Sequence, residues 1–168
     1  MTLDALIDDL LKREGGYVDH PHDRGGPTHY GITMPTLREW RGRPVTVQDI
    51  KDLPVEEARA IYRRNYVERP GFDQIEDGAL KALLVDCGVH HGITRARLWV
   101  RTLQKLGGLK ADGVIGPVTV AAITKAGPDL VRRELLRLRG HFVAGILQRD
   151  PKQRVFAAGW LRRLLEFL

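Results

Sequence analysis

The sequence lacks the features that cross-link a small domain or anchor a chain in a membrane. It contains one cysteine, Cys87, among 168 residues, so no disulfide can form within the chain. No apolar run approaches the roughly 18 residues that cross a bilayer. Acidic residues stand at Asp4, Asp8 and Asp9, where an export signal would carry basic residues before an apolar run. We therefore expect a globular protein with one core and no conventional export signal.

Motifs for binding a metal are missing as well. Two groups are candidates for zinc ligands, one at His20, His22 and His29 and the other at Asp86, His90 and His91. Neither group has the His-Glu-x-x-His or paired Cys-x-x-Cys spacing of a known zinc site. We expect no metal and no other cofactor, and we interpret Cys87 as a small buried hydrophobic residue.

Strand patterning is scarce, whereas helical patterning covers most of the chain. In the first helix, Thr2 is a candidate cap and Gly15 ends the pattern. Its apolar residues fall at helical spacing, at Leu3, Leu6, Ile7, Leu10 and Leu11. Two short pieces, 17–18 and 30–32, are candidates to pair as a small hairpin. The sequence therefore predicts a mainly α fold with at most one hairpin or irregular loop.

A carboxylate stands at the end of the first helix. Continuing the apolar stripe from Leu10 and Leu11 by one turn reaches Glu14, which predicts partial burial of its side chain. Burial and the negative end of the helix dipole both disfavour a charged carboxylate, so we expect Glu14 to keep its proton near neutral pH. Such a carboxyl group is suited to general acid catalysis.

The polar stretch 14–33 combines acids, histidines, hydroxyls and glycines between two apolar helical patterns. Hydrolysis of a glycosidic bond needs a carboxylic acid for the leaving oxygen and, in the inverting geometry, a carboxylate that activates water. Glu14 supplies the acid, and Asp23 follows in a glycine-bounded turn that can place it across a cleft. Thr28 can hold the attacking water. We therefore predict Glu14, Asp23 and Thr28 as catalytic residues.

The chain carries a net charge of +6, and much of the excess is arginine in its second half. A basic surface favours polyanions such as nucleic acid, acidic glycans or an anionic envelope. The simplest interpretation is that these arginines lie on solvated helix faces. The basic and apolar stretch 160–165 is a candidate for contact with an anionic membrane surface.

Two runs of residues carry a family resemblance. The first comprises the Glu-Gly-Gly-Tyr motif at 14–17, Asp19, Pro21, Asp23, the glycine pair 25–26, Thr28 and the Tyr-Gly-Ile-Thr motif at 30–33. It resembles the signature of glycoside hydrolase family 108, the N-acetylmuramidases of phages and bacteria. The second comprises 103–104, 112–117 and Thr119, with Phe156 and Trp160 in a closing helix. It resembles the peptidoglycan-binding segment that usually follows in that family.

The resemblance implies a lysozyme-like helical fold in which 1–92 form the catalytic region and 93–168 form a helical peptidoglycan-binding region packed into the same domain. It implies cleavage of the β-1,4 bond between N-acetylmuramic acid and N-acetylglucosamine, with Glu14 as the acid. The spacing of Glu14, Asp23 and Thr28 is also similar to that in phage-type lysozymes, which suggests an inverting mechanism. Asp19 is a rival for the role of base.

The predicted substrate contacts are aromatic and acidic residues in or near these motifs. We expect Tyr17 and Tyr30 to line the rim of the cleft beside Asp19, with a sugar stacking on Tyr30 or Trp40. In the second run, Asp112 is a candidate for contact with the glycan or its stem peptide.

The favoured function is a phage-type endolysin that hydrolyses peptidoglycan. A lytic transglycosylase would use the same glutamate without an external base and would leave 1,6-anhydro ends. A non-catalytic cell-wall binding protein and a basic nucleic-acid binder are alternatives outside the enzymes, although the chain has no recognisable groove-reading helix. We expect a monomer that does not bind nucleic acid. We also expect it to stay in the host cytoplasm until holin-mediated release and then to act on the periplasmic cell wall.

Overall fold

The computed structural model describes residues 2–19 and 26–168. The chain divides by packing into two compact units, one up to Asn65 and the other from Tyr66 onward. Helices dominate both units, and the prediction of a mainly α fold with a small hairpin is confirmed. Within the described ranges, no helix combines the length and the apolar character needed to cross a membrane.

The first unit is built from short helices and one hairpin. Its described elements are α1 (Leu3–Glu14), β1 (Thr28–His29), β2 (Ile32–Thr33), α2 (Met34–Arg41), α3 (Val47–Lys51) and α4 (Val55–Arg63). The side chain of Thr2 accepts a hydrogen bond from the amide of Ala5 at 3.2 Å, and Gly15 ends α1 with φ of 77°. Both predicted boundaries of α1 are therefore confirmed. A π-helical turn, Arg64–Glu68, continues directly from α4.

The core of the first unit lies between α1 and α4, which pack together. Their buried residues are Leu6, Ile7, Leu10 and Leu11 on α1 and Ala58, Ile61 and Tyr62 on α4. Ion pairs from Arg59 to Asp8, at 2.7 Å, and from Arg63 to Asp4 join the two helices. Packing and ion pairs with α4 therefore hold α1 in place.

The hairpin differs from the predicted pairing of 17–18 with 30–32. The two strands pair in antiparallel register, and Tyr30 and Gly31 form the turn between them. Val18 forms an isolated bridge with Thr28. Tyr30 and Gly31 have positive φ angles, 52° and 70°, which a strand cannot accommodate, so the predicted pairing is wrong.

The second unit is organised around one helix that is buried on nearly its whole circumference. Its elements are a 3-10 turn (Phe72–Gln74), α5 (Gly78–His91), α6 (Ile93–Leu106), α7 (Pro117–Ala126), α8 (Pro128–Arg149), a second 3-10 turn (Pro151–Phe156) and α9 (Ala157–Leu165). The buried residues of α5 are Leu80 and 82–88, and α5 packs against α6 and α8. A helix that is apolar all round is typical of a core position.

Two of the arginines expected on solvated faces lie inside the second unit. Arg139 on α8 is 1% exposed, and Arg163 on α9 is largely buried. They lie 2.7 Å and 2.5 Å from the carboxylate of Asp86 on α5. The solvated interpretation is wrong for these two residues, because an acid inside the core requires neighbouring positive charge.

Two interpretations from the sequence concern residues of α5: that of Cys87, and that of the possible zinc ligands Asp86, His90 and His91. Cys87 is fully buried, and burial raises the pKa of its thiol to about 12, so the interpretation as a small hydrophobic residue is confirmed. Asp86 is bound by two arginines, and His91 accepts a hydrogen bond from Arg139 at 3.0 Å. The group of Asp86, His90 and His91 is therefore a structural cluster held by arginine.

Candidate active site

Glu14 is the last residue of α1. The amide of Gly15 donates to the carbonyl of Leu11 at 3.2 Å and closes the helix, because Gly15 adopts a left-handed φ that favours glycine. The side chain of Glu14 is exposed, so the predicted burial is wrong. The apolar stripe of α1 is covered at Leu10 and Leu11, but the cover ends before Glu14. The carboxylate is therefore accessible to a substrate.

A tight turn lies against this carboxylate. Tyr30 and Gly31 both have left-handed φ angles, the pattern of a two-residue hairpin turn of type I′. A Cβ atom built on Gly31 would lie 2.8 Å from Oε2 of Glu14 and 3.0 Å from the hydroxyl of Tyr62. The end of α1, the hairpin turn and α4 therefore meet at one point, with the Glu14 carboxylate on it.

Thr28 opens the hairpin and also pairs with the chain that leaves α1. The amide of Val18 donates to the carbonyl of Thr28, and the amide of Thr28 donates to the carbonyl of Val18, both at 2.8 Å. The side chain of Thr28 is half-buried. Asp23, the predicted base, lies outside the described residues, as do His20 and His22. Its catalytic role and that of Thr28 stay predictions.

Tyr17 and Asp19 are linked beside the bridge. The hydroxyl of Tyr17 donates to Oδ2 of Asp19 at 3.1 Å. Desolvation, the hydrogen bond and the charge of Asp19 together raise the pKa of the Tyr17 hydroxyl. The ammonium of Lys51 lies 5.2 Å from the centre of the Tyr17 ring. Lys51 is a cation next to the predicted sugar-binding residues that no sequence motif indicated, because it comes from the short helix α3.

His29 belongs to an aromatic group, which the sequence did not suggest. Its ring stacks on Tyr30 with centroids 4.2 Å apart, and it meets the edge of Tyr17 at 6.5 Å. Its Nδ1 donates to the carbonyl of Ile50 at 3.0 Å. The structure thus brings Tyr17, His29 and Tyr30 together as a half-buried aromatic surface, and the Tyr30–Gly31 turn of this surface lies against Glu14. That the two tyrosines line the rim of a substrate cleft stays a prediction.

Trp40 on α2 is half-buried, and its ring already has partners. The guanidinium carbon of Arg64 lies 5.3 Å from the ring centre. Hydrogen bonds from Arg41 first, and one from Trp40, lower the pKa of Glu57 despite its partial desolvation. Stacking of a sugar on Trp40 stays a prediction, and it would use the ring face that Arg64 does not cover.

Asp112 lies in the second unit and helps to build a loop. Its Oδ1 accepts hydrogen bonds from the amide of Val114 at 3.0 Å and from Nε2 of Gln104 at 3.1 Å, and these bonds lower the pKa of the carboxyl group. Gln104 is buried, and it also binds the hydroxyl of Thr119 and the amide of Gly113. The residues of this motif therefore stabilise one another, and contact of Asp112 with a glycan stays a prediction.

Comparison with known proteins shows that the chain matches two family models. The model of the family described as Glycosyl hydrolase 108 matches residues 7–92. The model described as Predicted Peptidoglycan domain matches residues 98–165. Glu14, Asp23 and Thr28 lie within the first match, and Asp112 lies within the second.

A solved structure, that of SagA from Brucella abortus, is similar over nearly the whole chain. The two sequences are 36% identical, the alignment covers 98% of this chain and 90% of that chain, and the TM-score is 0.72. No significant match was found among curated proteins.

Proposed function

Because this chain belongs to the glycosyl hydrolase 108 family, we propose that it is an endolysin muramidase. Its family and its peptidoglycan domain make it a peptidoglycan-hydrolysing glycosidase. The bond that we propose is the β-1,4 linkage between N-acetylmuramic acid and N-acetylglucosamine, cleaved with inversion.

The observation that carries this proposal is the position of the Glu14 carboxylate. It is exposed at the end of α1, lies against the Tyr30–Gly31 turn and has the Tyr17, His29 and Tyr30 surface beside it. A carboxyl group in that place can reach a sugar that packs on the aromatic residues. Glu14 then donates its proton to the leaving glycosidic oxygen.

The second step needs a carboxylate that activates water on the opposite side of the sugar ring. In the inverting geometry the two carboxyl groups stand roughly 6.5–9.5 Å apart. We assign this role to Asp23 on its spacing from Glu14, with Thr28 positioning the water. Asp19 is the rival, because its exposed carboxylate lies in the same stretch and accepts a hydrogen bond from Tyr17 at the proposed site. Separate Asp23→Asn and Asp19→Asn variants identify the base by which of them loses hydrolysis.

The test of the proposal is Glu14→Gln, which removes the transferable proton and keeps the shape of the side chain. On purified peptidoglycan we expect the rate to fall by about 10²–10⁴-fold, the range for loss of a general acid. The matched control is Glu76→Gln, an exposed glutamate of the second unit, which should keep full activity. A folded Glu14→Gln variant that still releases soluble fragments at a substantial rate would contradict the assignment.

Mass spectrometry of the released fragments separates the enzymatic alternatives. Reducing ends support hydrolysis, whereas 1,6-anhydro ends would identify a lytic transglycosylase that uses the same glutamate. Cosedimentation with peptidoglycan but no release of fragments would indicate a non-catalytic binding protein. Salt-dependent binding of DNA would revive the nucleic-acid alternative.

We propose an anionic surface of the envelope as a second partner, encountered by a monomer released from the host cytoplasm through a holin. Leu161, Leu165 and Leu168 are exposed along one side of the C-terminal segment, and exposed Arg154 and Arg162 are close in sequence. Apolar side chains next to cations suit the interface of an anionic bilayer.

Vesicle sedimentation tests the membrane contact. We expect the protein to bind vesicles that contain phosphatidylglycerol more tightly than vesicles of phosphatidylcholine alone. The double variant Leu161→Asp, Leu165→Asp should lose this binding and keep its activity on purified peptidoglycan. Val118→Asp, at an equally exposed apolar residue of α7, is the matched control. Equal binding to both vesicles, or binding by the double variant, would refute the contact.

A further inference from the structure

We propose that Tyr62 is a positioning residue for the catalytic carboxyl group, and that Gly31 must lack a side chain for the same reason. The hydroxyl of Tyr62 holds the hairpin turn in the shape against which Glu14 lies. This inference rests on the proposed role of Glu14 as the acid, and it concerns residues that have no proposed contact with substrate.

Tyr62 connects the turn to the rigid part of the first unit. Its side chain is 4% exposed on α4, the helix that packs against α1. Its hydroxyl donates to the backbone carbonyl of Tyr30 at 3.0 Å. One buried hydroxyl therefore links the hairpin turn to the same helix that fixes α1, the helix on which Glu14 lies.

The turn needs such a link because its backbone is strained. Tyr30 has φ of 52°, and it is the single non-glycine residue with positive φ in the ranges 2–19 and 26–168. A left-handed backbone is unfavourable for a residue with a Cβ atom, because that atom comes too close to the following carbonyl oxygen. Such a conformation persists where the surrounding structure determines it, and it tends to occur at functional sites. The hydrogen bond to the Tyr30 carbonyl is one of the contacts that determine it here.

The approach of Glu14 leaves no room for a side chain at the next residue. A Cβ atom on Gly31 would lie 2.8 Å from Oε2 and 3.3 Å from Cδ of Glu14, and 3.0 Å from the hydroxyl of Tyr62. Carbon and oxygen atoms that do not bond to each other do not approach to 2.8 Å. A methyl group at Gly31 must therefore displace the carboxylate, the tyrosine or the turn.

Such displacement matters because proton transfer depends on placement. A shift of roughly 1 Å in a reacting group can cost on the order of 10²-fold in rate. We expect a larger effect on kcat than on KM, because Glu14 acts on the reacting bond, whereas Tyr30 is one of several residues of the surface that would bind the sugar.

The first experiment compares Gly31→Ala with Gly42→Ala, measured on soluble peptidoglycan fragments. The two glycines have similar left-handed φ angles, 70° and 63°, so both variants carry similar backbone strain. A Cβ atom on Gly42 meets nothing within 4 Å. We expect both variants to lower Tm through this strain, and Gly31→Ala to lower it at least as much as Gly42→Ala because of the added steric conflict. Gly31→Ala should also lower kcat by roughly 10–100-fold with a much smaller change in KM, whereas Gly42→Ala should keep kcat.

The second experiment removes only the hydroxyl of Tyr62. Tyr62→Phe keeps the ring in the core, so we expect a folded protein with kcat lowered about tenfold and KM changed much less. Tyr66→Phe, at a half-buried tyrosine of the second unit, is the matched control and should keep kcat. A fall of kcat in both variants alike would indicate a general effect on folding and would overturn the inference.

A double-mutant cycle tests whether Gly31 acts through Glu14. Glu14→Asp shortens the acid by one methylene and makes room for a methyl group at residue 31. The loss of rate caused by Glu14→Asp should therefore be smaller in the Gly31→Ala background than in the parent, and additive effects would contradict a contact between them. If Glu14→Gln is inactive but Gly31→Ala and Gly42→Ala have the same kcat, the inference about Tyr62 and Gly31 is refuted and the proposed function still stands. If Glu14→Gln is active, the proposed function fails.

Discussion

Each unit contains an aspartate bound by two arginines, and the two clusters differ in their access to water. In the first unit, Asp49 lies 2.5 Å from Arg41 and 2.9 Å from Arg43, with its side chain 18% exposed. Hydrogen bonds from the backbone and side chain of Thr46, and then the charge and hydrogen bond of Arg43, hold the pKa of Asp49 well below its usual range. Asp49 also completes the capping box of α3.

In the second unit, Asp86 lies at similar distances from Arg139 and Arg163, but its side chain is 2% exposed. The contact with Arg139 is close without the alignment of a hydrogen bond, whereas Arg163 donates to Oδ1 at 2.9 Å through Nε. Exposed ion pairs contribute little to stability, and a buried charge is costly once its partner is removed. The same residue types thus stabilise a local turn in one unit and form a buried junction in the other.

The largest effect that tests this comparison is expected for Asp86→Asn. The substitution leaves Arg139 buried and uncompensated, so the free energy of unfolding should fall by about 3–5 kcal/mol. Asp49→Asn should cost clearly less, because Arg41 and Arg43 can be hydrated. Chemical denaturation of both variants measures the difference, and hydrogen exchange shows whether the loss is confined to the unit that carries the substitution. An equal loss of unfolding free energy in Asp86→Asn and Asp49→Asn would show that the buried and the hydrated cluster do not differ in this respect.

A smaller effect should separate the outer arginine of each cluster. Arg163→Met leaves Asp86 with one partner and should cost about 2 kcal/mol. Arg43 is 55% exposed, and Arg43→Met should change the free energy of unfolding by no more than about 0.5 kcal/mol. Methionine keeps most of the apolar length of the arginine side chain. Thermal unfolding of Arg163→Met and Arg43→Met therefore measures the loss of stability that comes from removing the positive charge. A larger loss in Arg43→Met than in Arg163→Met would reverse the comparison.

The smallest effect concerns pH. Burial, and then the positive charge of Arg139, lower the pKa of His91 to about 3 from an unfolded value of 6.5. Below pH 6.5 the unfolded chain binds a proton that the folded chain does not, so stability should fall as the pH is lowered, by roughly 1 kcal/mol per pH unit. His91→Gln should weaken the dependence between pH 6.5 and 5, and the part that remains belongs to His90, because burial lowers the pKa of that residue too. His141→Gln, at an exposed histidine, should leave the dependence unchanged.

Asp49 and Glu57 of the first unit should contribute little in that interval, because they respond at lower pH. The folded pKa values of Asp49 and Glu57 are depressed, so their stabilisation is present above roughly pH 4 and is lost only below it. Persistence of the full dependence in His91→Gln would show that another group is responsible.

Sequence patterns predicted the features that depend on neighbouring residues. The limits of α1 follow from Thr2 and Gly15, and the capping box at Thr46 and Asp49 is equally local. The position of Glu14 at the helix end was predicted for the same reason. Its exposure was not, because an apolar stripe indicates the face of a helix and not the point where the covering helix ends.

Contacts between distant residues could not be predicted from patterns. Tyr62 and Tyr30 are separated by 32 positions, and Asp86 and Arg163 by 77. No local spacing indicates that a tyrosine in an apolar helical stripe will bind a turn, or that an arginine near the C-terminal end will be buried. The sequence motif therefore identified Glu14 as a candidate catalytic residue, whereas the contact of Tyr62 with the adjacent turn could be identified only from the structure.

The bridge between Val18 and Thr28 joins two parts of the proposed active site. Its two hydrogen bonds, both 2.8 Å, link the chain that leaves α1 after Glu14 to the first strand of the hairpin, and the turn of that hairpin lies against the same carboxylate. A shift at the end of α1 is therefore passed on to the hairpin strand, so we expect the acid and the hairpin to move together.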